Sequence, residues 1–461
     1  MKILSEASAS EKFFEASKIL NDAVEHTLGP NGSNTAVLNN TGSYSIINDG
    51  KSIVESLTSM DAEIAPAMET IKQAAYETNR KAGDGTTSTI VLTHHLLKNT
   101  LKLSDDSSTR VILSKEILKL KEFLIDILHK TASKVTPEQY IDVAKVSLGS
   151  DKYAKLVADT FKFTEGVAVP LYIKSDQPDV TSENIAGVQL TKIKWCTRMI
   201  LDVLNKSEFT NLKSLVLFQP VDRFEELTQL VRKSFQYEGF TLLFYNELSP
   251  SILENLLLNL SNNTCRIIPV SLSDYGKYLS DVMSDLADYT QTKVIDGANL
   301  KVSDVHNIEF GTITNAILTF DQIVVNNDAC NEKTYKTFTT KSSIIKCGGS
   351  TKVDMEDNYM RIEDAVHSLD SAIKFGVVKG AGHTYSDLML EFLGCREDEV
   401  NDDFMIAMLD SLSAIKKAVG LDEVPNDVID SALVVEEVLK NSFTIAAQVL
   451  TTNKLIPNNI R

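Results

Sequence analysis

The residues best suited to chemistry lie in one short run, 81–97 (KAGDGTTSTIVLTHHLL). Asp84 stands between Gly83 and Gly85 and is followed by Thr86, Thr87 and Ser88. Ile90, Val91 and Leu92 then turn the chain apolar with helical spacing. A carboxylate, flexible backbone and hydroxyls at a helix start suit a phosphate group and its metal. The glycines let the backbone approach an anion closely, and the first helical turn offers it unpaired N–H groups. Asp84 would hold the magnesium that neutralises the phosphate charge. Taken alone, the same residues also describe an ordinary loop-to-helix junction capped by threonine.

One long helix delivers this run, and a helix with its loop and a hairpin come before it. Apolar residues at Phe13, Ala16, Leu20, Ala23 and Val24 form one helical stripe that leads into Thr27-Leu28-Gly29-Pro30. Gly before Pro does not continue a helix, so a tight loop is expected there. Strands over 35–38 and 44–47 read as a hairpin that ends on Asn48-Asp49-Gly50, a second acid in a glycine turn. A long helix over 65–81 then leads directly to Asp84.

Further along, turn formers over 172–187 mark a boundary. Short apolar runs at 214–218, 241–245, 266–271 and 293–295 then alternate with amphipathic helices at 223–237, 249–260 and 278–289, the pattern of an α/β domain. Past residue 341 that pattern stops. A strand-like 351–355 is expected before a helix with Ile362, Val366, Leu369 and Ile373 on one face and Asp364 at its start. The small-residue turn 377–382 (VVKGAG) follows, and Asp430 precedes a last buried helix over 431–452.

Composition narrows the choices. The 461 residues exceed one core, and two to four domains are expected. A net charge of −17, from 46 basic and 63 acidic residues, disfavours nucleic acid and anionic membranes as partners. The five cysteines, Cys196, Cys265, Cys330, Cys347 and Cys395, lack zinc-site spacing and read as packed, reduced thiols. No run of about 18 apolar residues appears, and the N-terminal residues lack a secretory core, so a cytoplasmic location is expected. His94 and His95, adjacent on a helix, point in different directions and read as packing or surface histidines. No P-loop and no dinucleotide-binding glycine fingerprint occurs in context.

What does occur is an ordered set: TLGPNG at 27–32, NDG at 48–50, GDGTTS at 83–88, RIEDA at 361–365, VVKGAG at 377–382 and the late Asp430. In this order the motifs resemble the chaperonin family of ATP-driven ring chaperones, most like its bacterial group. The resemblance implies ATP, Mg²⁺ and K⁺ as cofactors. Thr27, Leu28, Gly29 and Pro30 would wrap the phosphates, with the Thr27 backbone also near potassium. Asp84 would ligate magnesium, and Gly85, Thr86, Thr87 and Ser88 would meet phosphate oxygens. Asp364 would orient or deprotonate the attacking water, assisted by Asp49 beside Asn48. Gly380, Ala381 and Gly382 would line the nucleoside, and Asp430 would meet the ribose. Asn48 stands where bacterial members usually carry Lys, Ala381 interrupts a glycine triplet, and 418–430 is short for the usual adenine-contacting hairpin.

The implied fold is a mainly helical, discontinuous equatorial ATPase domain (1–134 and 376–461), a small intermediate hinge domain (135–178 and 343–375) and an inserted α/β apical domain (179–342). In that domain Leu230, Val231, Leu253, Leu257 and Leu258 are the candidate contacts for non-native polypeptides. The implied assembly is a homo-oligomeric ring of about seven subunits, single or double, with a separate co-chaperonin lid left open. Two other readings compete: a degenerate, non-hydrolysing holdase or scaffold, and a soluble metabolic kinase with unusual phosphate loops.

Overall fold

The computed structural model describes residues 6–29, 32–38, 44–47, 49–59, 61, 63–103, 106–190, 208–318, 322–330, 335–394, 402–421, 425, 427–452 and 454. Pro30, Asn48, Cys196 and Cys395 lie outside the described residues. The chain divides into two compact units, one formed by 1–159, 174–180 and 347–461, the other by 160–173 and 181–346. Most of both expected hinge segments, 135–159, 174–178 and 347–375, falls in the first unit.

The first unit is helical because its apolar residues recur at helical spacing on nearly every segment. Thr86–Thr100 buries Ile90, Val91, Leu92, Leu96 and Leu97, and Ala432–Leu450 buries Val435, Val438, Leu439 and Phe443. Ala432–Leu450 packs on Ala65–Ala82, Thr86–Thr100 and Ser107–Thr131, so the late part of the chain completes a core begun by the early part. The expected hairpin is present, with Thr35 opposite Ile47 and Leu38 opposite Tyr44 in an antiparallel pair.

In the second unit a sheet follows the order Val188–Leu190, Ile323–Asn326, Gly311–Leu318, Glu208–Leu217, Thr241–Tyr245, Ile267–Ser271, with Val294–Ile295 paired to Glu208–Leu217. Its last four members are parallel, as the strand–helix alternation implies, and the first three pairings are antiparallel. Helices Phe224–Ser234 and Pro250–Ser261 pack on it. This packing corrects the choice of helix face. Leu230, Val231, Leu253 and Leu257 are buried within the unit, and of the five candidates only Leu258 is exposed, at 60%. An amphipathic helix spends its continuous apolar stripe on its own sheet, and the outward leucine is the one that breaks the stripe.

A second correction concerns 351–355. The β-branched residues there suggest a strand, but Thr351 is the N-cap of the helix Lys352–Phe375, its Oγ1 accepting from the Asp354 N–H at 3.1 Å. Asp364 therefore sits in the middle of a 24-residue helix rather than at its start. Cys265, Cys330 and Cys347 are buried, and none of the three is in a disulfide. No described helix is long and apolar enough to cross a membrane.

Thr351→Ala removes a cap whose loss is expected to cost about 1 kcal/mol. Amide exchange over 352–356 should quicken by roughly fivefold; unchanged exchange there would contradict the cap.

Candidate functional site

Two glycines in the left-handed region set the position of Asp84. Gly83, at φ 78°, ends the helix Ala65–Ala82 with its N–H on the Asn79 carbonyl, and Gly85, at φ 94°, is the N-cap of Thr86–Thr100. Side chains rarely adopt either conformation, so the turn between the two helices needs both glycines. Gly85 donates its N–H to Asp84 Oδ1 at 2.5 Å. The turn's flanks are pinned from the last helix: Ser442 Oγ donates to the Thr89 carbonyl at 3.1 Å and Asn441 Nδ2 to Thr78 Oγ1 at 2.8 Å, while Lys81 pairs with Glu437 at 3.0 Å.

The first turn of Thr86–Thr100 has no side-chain cap, and Thr89 is the first residue whose N–H reaches back to Gly85. Thr86 is buried, and its hydroxyl has no hydrogen-bond partner among the described residues. A buried hydroxyl left unmade is costly unless something else completes it.

Asp49 reaches the same turn from the other side. It is the N-cap of Gly50–Ser56, its carboxylate accepting from the Lys51 N–H at 3.1 Å and from the N–H and Oγ of Ser52 at 2.8 and 2.6 Å. A Cβ on Gly50 would come within 1.9 Å of Thr87 Oγ1, so glycine is what lets this short helix start against the first turn of Thr86–Thr100. The helix Lys352–Phe375 supplies the third acid. Ser368, one turn after Asp364, donates to Asp84 Oδ2 at 3.4 Å, and a Cβ on Gly83 would come within 2.2 Å of His367 Cβ. Asp430 arrives on the strand Ile429–Ser431, paired with Val377–Lys379 so that it stands opposite Val378. It is a strand residue rather than the helix-start acid its neighbours in sequence suggest.

The electrostatics confirm that these groups share one space. Burial raises the Asp84 carboxyl above its ordinary pKa, and the Asp49 charge adds to this, while the Gly85 N–H and the Ser368 hydroxyl pull it back. Burial also raises Asp364 well above the usual range, reinforced by Asp84, Asp49 and Glu363 and opposed by Lys51. Asp430 is pushed up to about 7 by burial and by Asp84. The carboxyls keep some accessible area yet are deeply enclosed, as expected of groups lining a cleft. Of the four acids, Asp364 lines a cleft of about 420 Å³, together with Lys51, Gly83, His367, Ser371 and Leu433. The buried phenol of Tyr385 also faces Asp430 and Asp84, and burial raises it well above the ordinary tyrosine range.

Of the remaining expected residues, Gly29 and Gly382 lie against the helix Ala414–Val419. A Cβ on Gly29 would meet the Val419 carbonyl at 2.8 Å, and one on Gly382 would meet the Lys416 N at 2.6 Å. Thr27 ends a 3-10 turn with its Oγ1 on the Val24 carbonyl at 2.8 Å, and Leu28 follows it. Gly380 donates to the Val428 carbonyl at 2.9 Å. Ala381 adopts φ 55°, so the loop keeps a glycine-like path with a methyl group attached. Ser88 is half-buried beside Thr87 on the first turn of Thr86–Thr100. His94 packs as its sequence context suggests: Ser17 Oγ lies 3.0 Å from its Nδ1, Phe14 stacks on it at 5.4 Å, and burial pushes its pKa down to about 4. Among the described residues no group of three or more His, Cys, Asp or Glu side chains could hold a metal ion by itself. Sequence reasoning missed Ser52, Ser368, Ser371 and Tyr385; the helical spacing of the serines after Asp364 was the available signal.

The fold is the chaperonin fold. The chain superposes over 100% of its length, and 100% of the other chain, on the chaperonin gp146 of bacteriophage EL 2 (Pseudomonas aeruginosa) crystallised in the presence of ATP-BeFx, with a TM-score of 0.76 at 18% identity. Residues 20–204 match the TCP-1/cpn60 chaperonin family. The chaperonin GroEL of Mycoplasmoides gallisepticum is 24% identical over 407 residues, covering 82% of this chain and 76% of that one. The chloroplastic RuBisCO large subunit-binding protein subunit alpha of Brassica napus is 24% identical over 464 residues, covering 94% and 79%. The chain thus shares the chaperonin fold, and over residues 20–204 it is similar to the TCP-1/cpn60 family in a divergent, GroEL-like form.

A carboxyl raised in the folded protein costs stability as pH climbs from the ordinary carboxylate range through its folded pKa. For Asp430 that window runs from about 4 to about 7. Asp430→Asn is expected to stabilise the nucleotide-free protein by about 2 kcal/mol at pH 8 and to change little at pH 4. Equal shifts in the unfolding midpoint at the two pH values would contradict the buried-charge reading.

Proposed function

We propose that this chain is an ATP-hydrolysing chaperonin subunit whose nucleotide site is the cleft around Asp84. The observation that carries the reading is the combination at 83–88 of an uncapped helix start, a buried hydroxyl on Thr86 without a partner, and acids from three other elements converging on Asp84. Free N–H groups and hydroxyls suit phosphate oxygens, and the acids suit a divalent cation.

The residues present fit magnesium held chiefly by one carboxylate, Asp84, with the phosphates and water completing the shell. Mg²⁺ commonly takes one or two protein carboxylates in such sites rather than an all-protein cage. Bound there it would neutralise charge on the phosphates. Asp364 and Asp49, both electrostatically linked to Asp84, would hold and orient a water molecule and accept its proton. Gly85, Thr86, Thr87 and Ser88 hold the phosphates from the helix start, and Thr27, Leu28, Gly29 and Pro30 close over them. Asn48 lies beside Asp49. Gly380, Ala381 and Gly382 border the nucleoside, with Asp430 at the ribose. Phosphoryl transfer depends on this positioning and charge balance more than on covalent chemistry. Potassium near the Thr27 backbone is carried with the proposal on the family resemblance.

The same reading makes the protein a homo-oligomeric ring, single or double, of about seven subunits. It captures non-native polypeptides in the cytoplasm and releases them through an ATP-driven movement of the helix that bears Asp364. A lid co-chaperonin is a candidate partner. Leu258, exposed on Pro250–Ser261, is the candidate client contact that the packing leaves outward.

Asp364→Ala is expected to slow ATP turnover by about 100-fold while nucleotide binding and the mass of the assembly in solution stay as in the wild type. Unchanged turnover would refute the role of Asp364. A wild type without turnover in Mg²⁺ and K⁺ would favour the non-hydrolysing holdase, and a monomer or dimer would overturn the ring.

A further inference from the structure

Three polar side chains follow one stripe of the helix Lys352–Phe375. Ser368 and Ser371 come four and seven residues after Asp364, the spacing that stacks side chains on one helical face. Both serines are buried, at 6% and 5% exposure, and neither hydroxyl is used only within its own helix. Ser368 donates to Asp84 Oδ2 at 3.4 Å. Ser371 Oγ and Ser431 Oγ lie 2.7 Å apart, and Ser431 is itself 2% exposed. Ser371 Oγ also lies 3.0 Å from the Ser368 carbonyl. One proton cannot serve both acceptors, and the Ser431 hydroxyl supplies the second.

These contacts reach two separate elements, the glycine turn and the strand of Asp430. Ser368 touches the acid of the glycine turn. Ser431 follows Asp430 on the short strand and is the N-cap residue of Ala432–Leu450. Along a strand, neighbouring side chains point to opposite faces, so the strand that turns Asp430 one way turns Ser431 the other, toward Ser371. A helix held at two points on one face has little freedom to rotate about its axis. That freedom matters, because a rotation of roughly 10° moves a carboxylate about 6 Å from the axis by about 1 Å, enough to cost up to about 100-fold in rate.

We propose that Ser368 and Ser371 are positioning residues that fix the rotation of the helix Lys352–Phe375, and that the Ser371–Ser431 bond ties the placement of Asp364 to the strand carrying Asp430. While that bond is made, the strand carrying Asp430 and the water-orienting carboxylate hold one register. The functional part of this inference rests on the ATPase reading above, whereas the latch itself is a property of the protein without ligand.

Ser371→Ala, Ser431→Ala and the double variant test it. Each single change is expected to lower kcat for ATP about threefold to tenfold, the worth of one hydrogen bond, with KM within about twofold. The double variant should be no worse than the poorer single one, because both remove the same bond. Ser368→Ala should lower kcat by a similar factor. Unchanged kcat in Ser371→Ala, or losses that multiply in the double variant, would overturn the proposal. Amide exchange over 365–375 in the ligand-free protein is the second readout. It should quicken equally in the two single variants, and unchanged exchange would overturn the latch. If the wild type shows no turnover, the ATPase reading fails and the exchange measurement alone decides the latch.

Discussion

Carboxylates held near one another away from bulk water repel, and the first unit of this protein is built around such a repulsion. Asp84 feels Asp49, Asp364 feels both, and Asp430 feels Asp84. A fold that stabilises itself by packing would avoid this arrangement, since buried like charges are among the most expensive features a core can carry. The protein offsets the cost locally. Asp49 is sated by Lys51 and Ser52 as a helix cap, and Asp84 receives the Gly85 N–H and the Ser368 hydroxyl. What remains uncompensated is the electrostatic demand for a cation and the hydrogen-bonding demand of the Thr86 hydroxyl. Phosphate with magnesium answers both together.

The need to bring those acids together explains the chain's unusual path. Asp49 and Asp84 come from the early segment, Asp364 and Asp430 from the late one, and the α/β unit lies between them in sequence. Ala432–Leu450 makes the join rigid by packing on three early helices and bonding to both flanks of the glycine turn. The short pairing of Val377–Lys379 with Ile429–Ser431 then sets Asp430 where the Asp84 charge acts on it. Core packing and site geometry are thus one construction.

Much of this was legible in the sequence, for physical reasons. Glycines flanking Asp84 announce a left-handed turn whatever surrounds them, and helical spacing on both sides fixes where the turn points. The hairpin 35–47 and the strand–helix alternation of the α/β unit were equally plain, because their patterns are local. Other features depended on contacts distant in sequence. Thr351 reads as a strand residue until its hydroxyl is seen capping a helix, and Asp430 reads as a helix-start acid until Val378 pairs with it. Ala381 looked like an interruption of a glycine loop, yet its φ of 55° follows the glycine path. The leucines of Phe224–Ser234 and Pro250–Ser261 could not be sorted into inner and outer from an amphipathic pattern, because the sheet claims the stripe first. Ser368 and Ser371 offer the sequence only their helical spacing after Asp364, since a serine in a helix does not announce its partner.

The central claim is that the cleft around Asp84 binds ATP as its magnesium complex. Titration calorimetry of the wild-type protein with ATP, in Mg²⁺ and again with the metal removed by a chelator, tests it most directly. The account predicts saturable binding in Mg²⁺ that weakens by at least about tenfold without it. No binding in Mg²⁺, or binding indifferent to the metal, would contradict it.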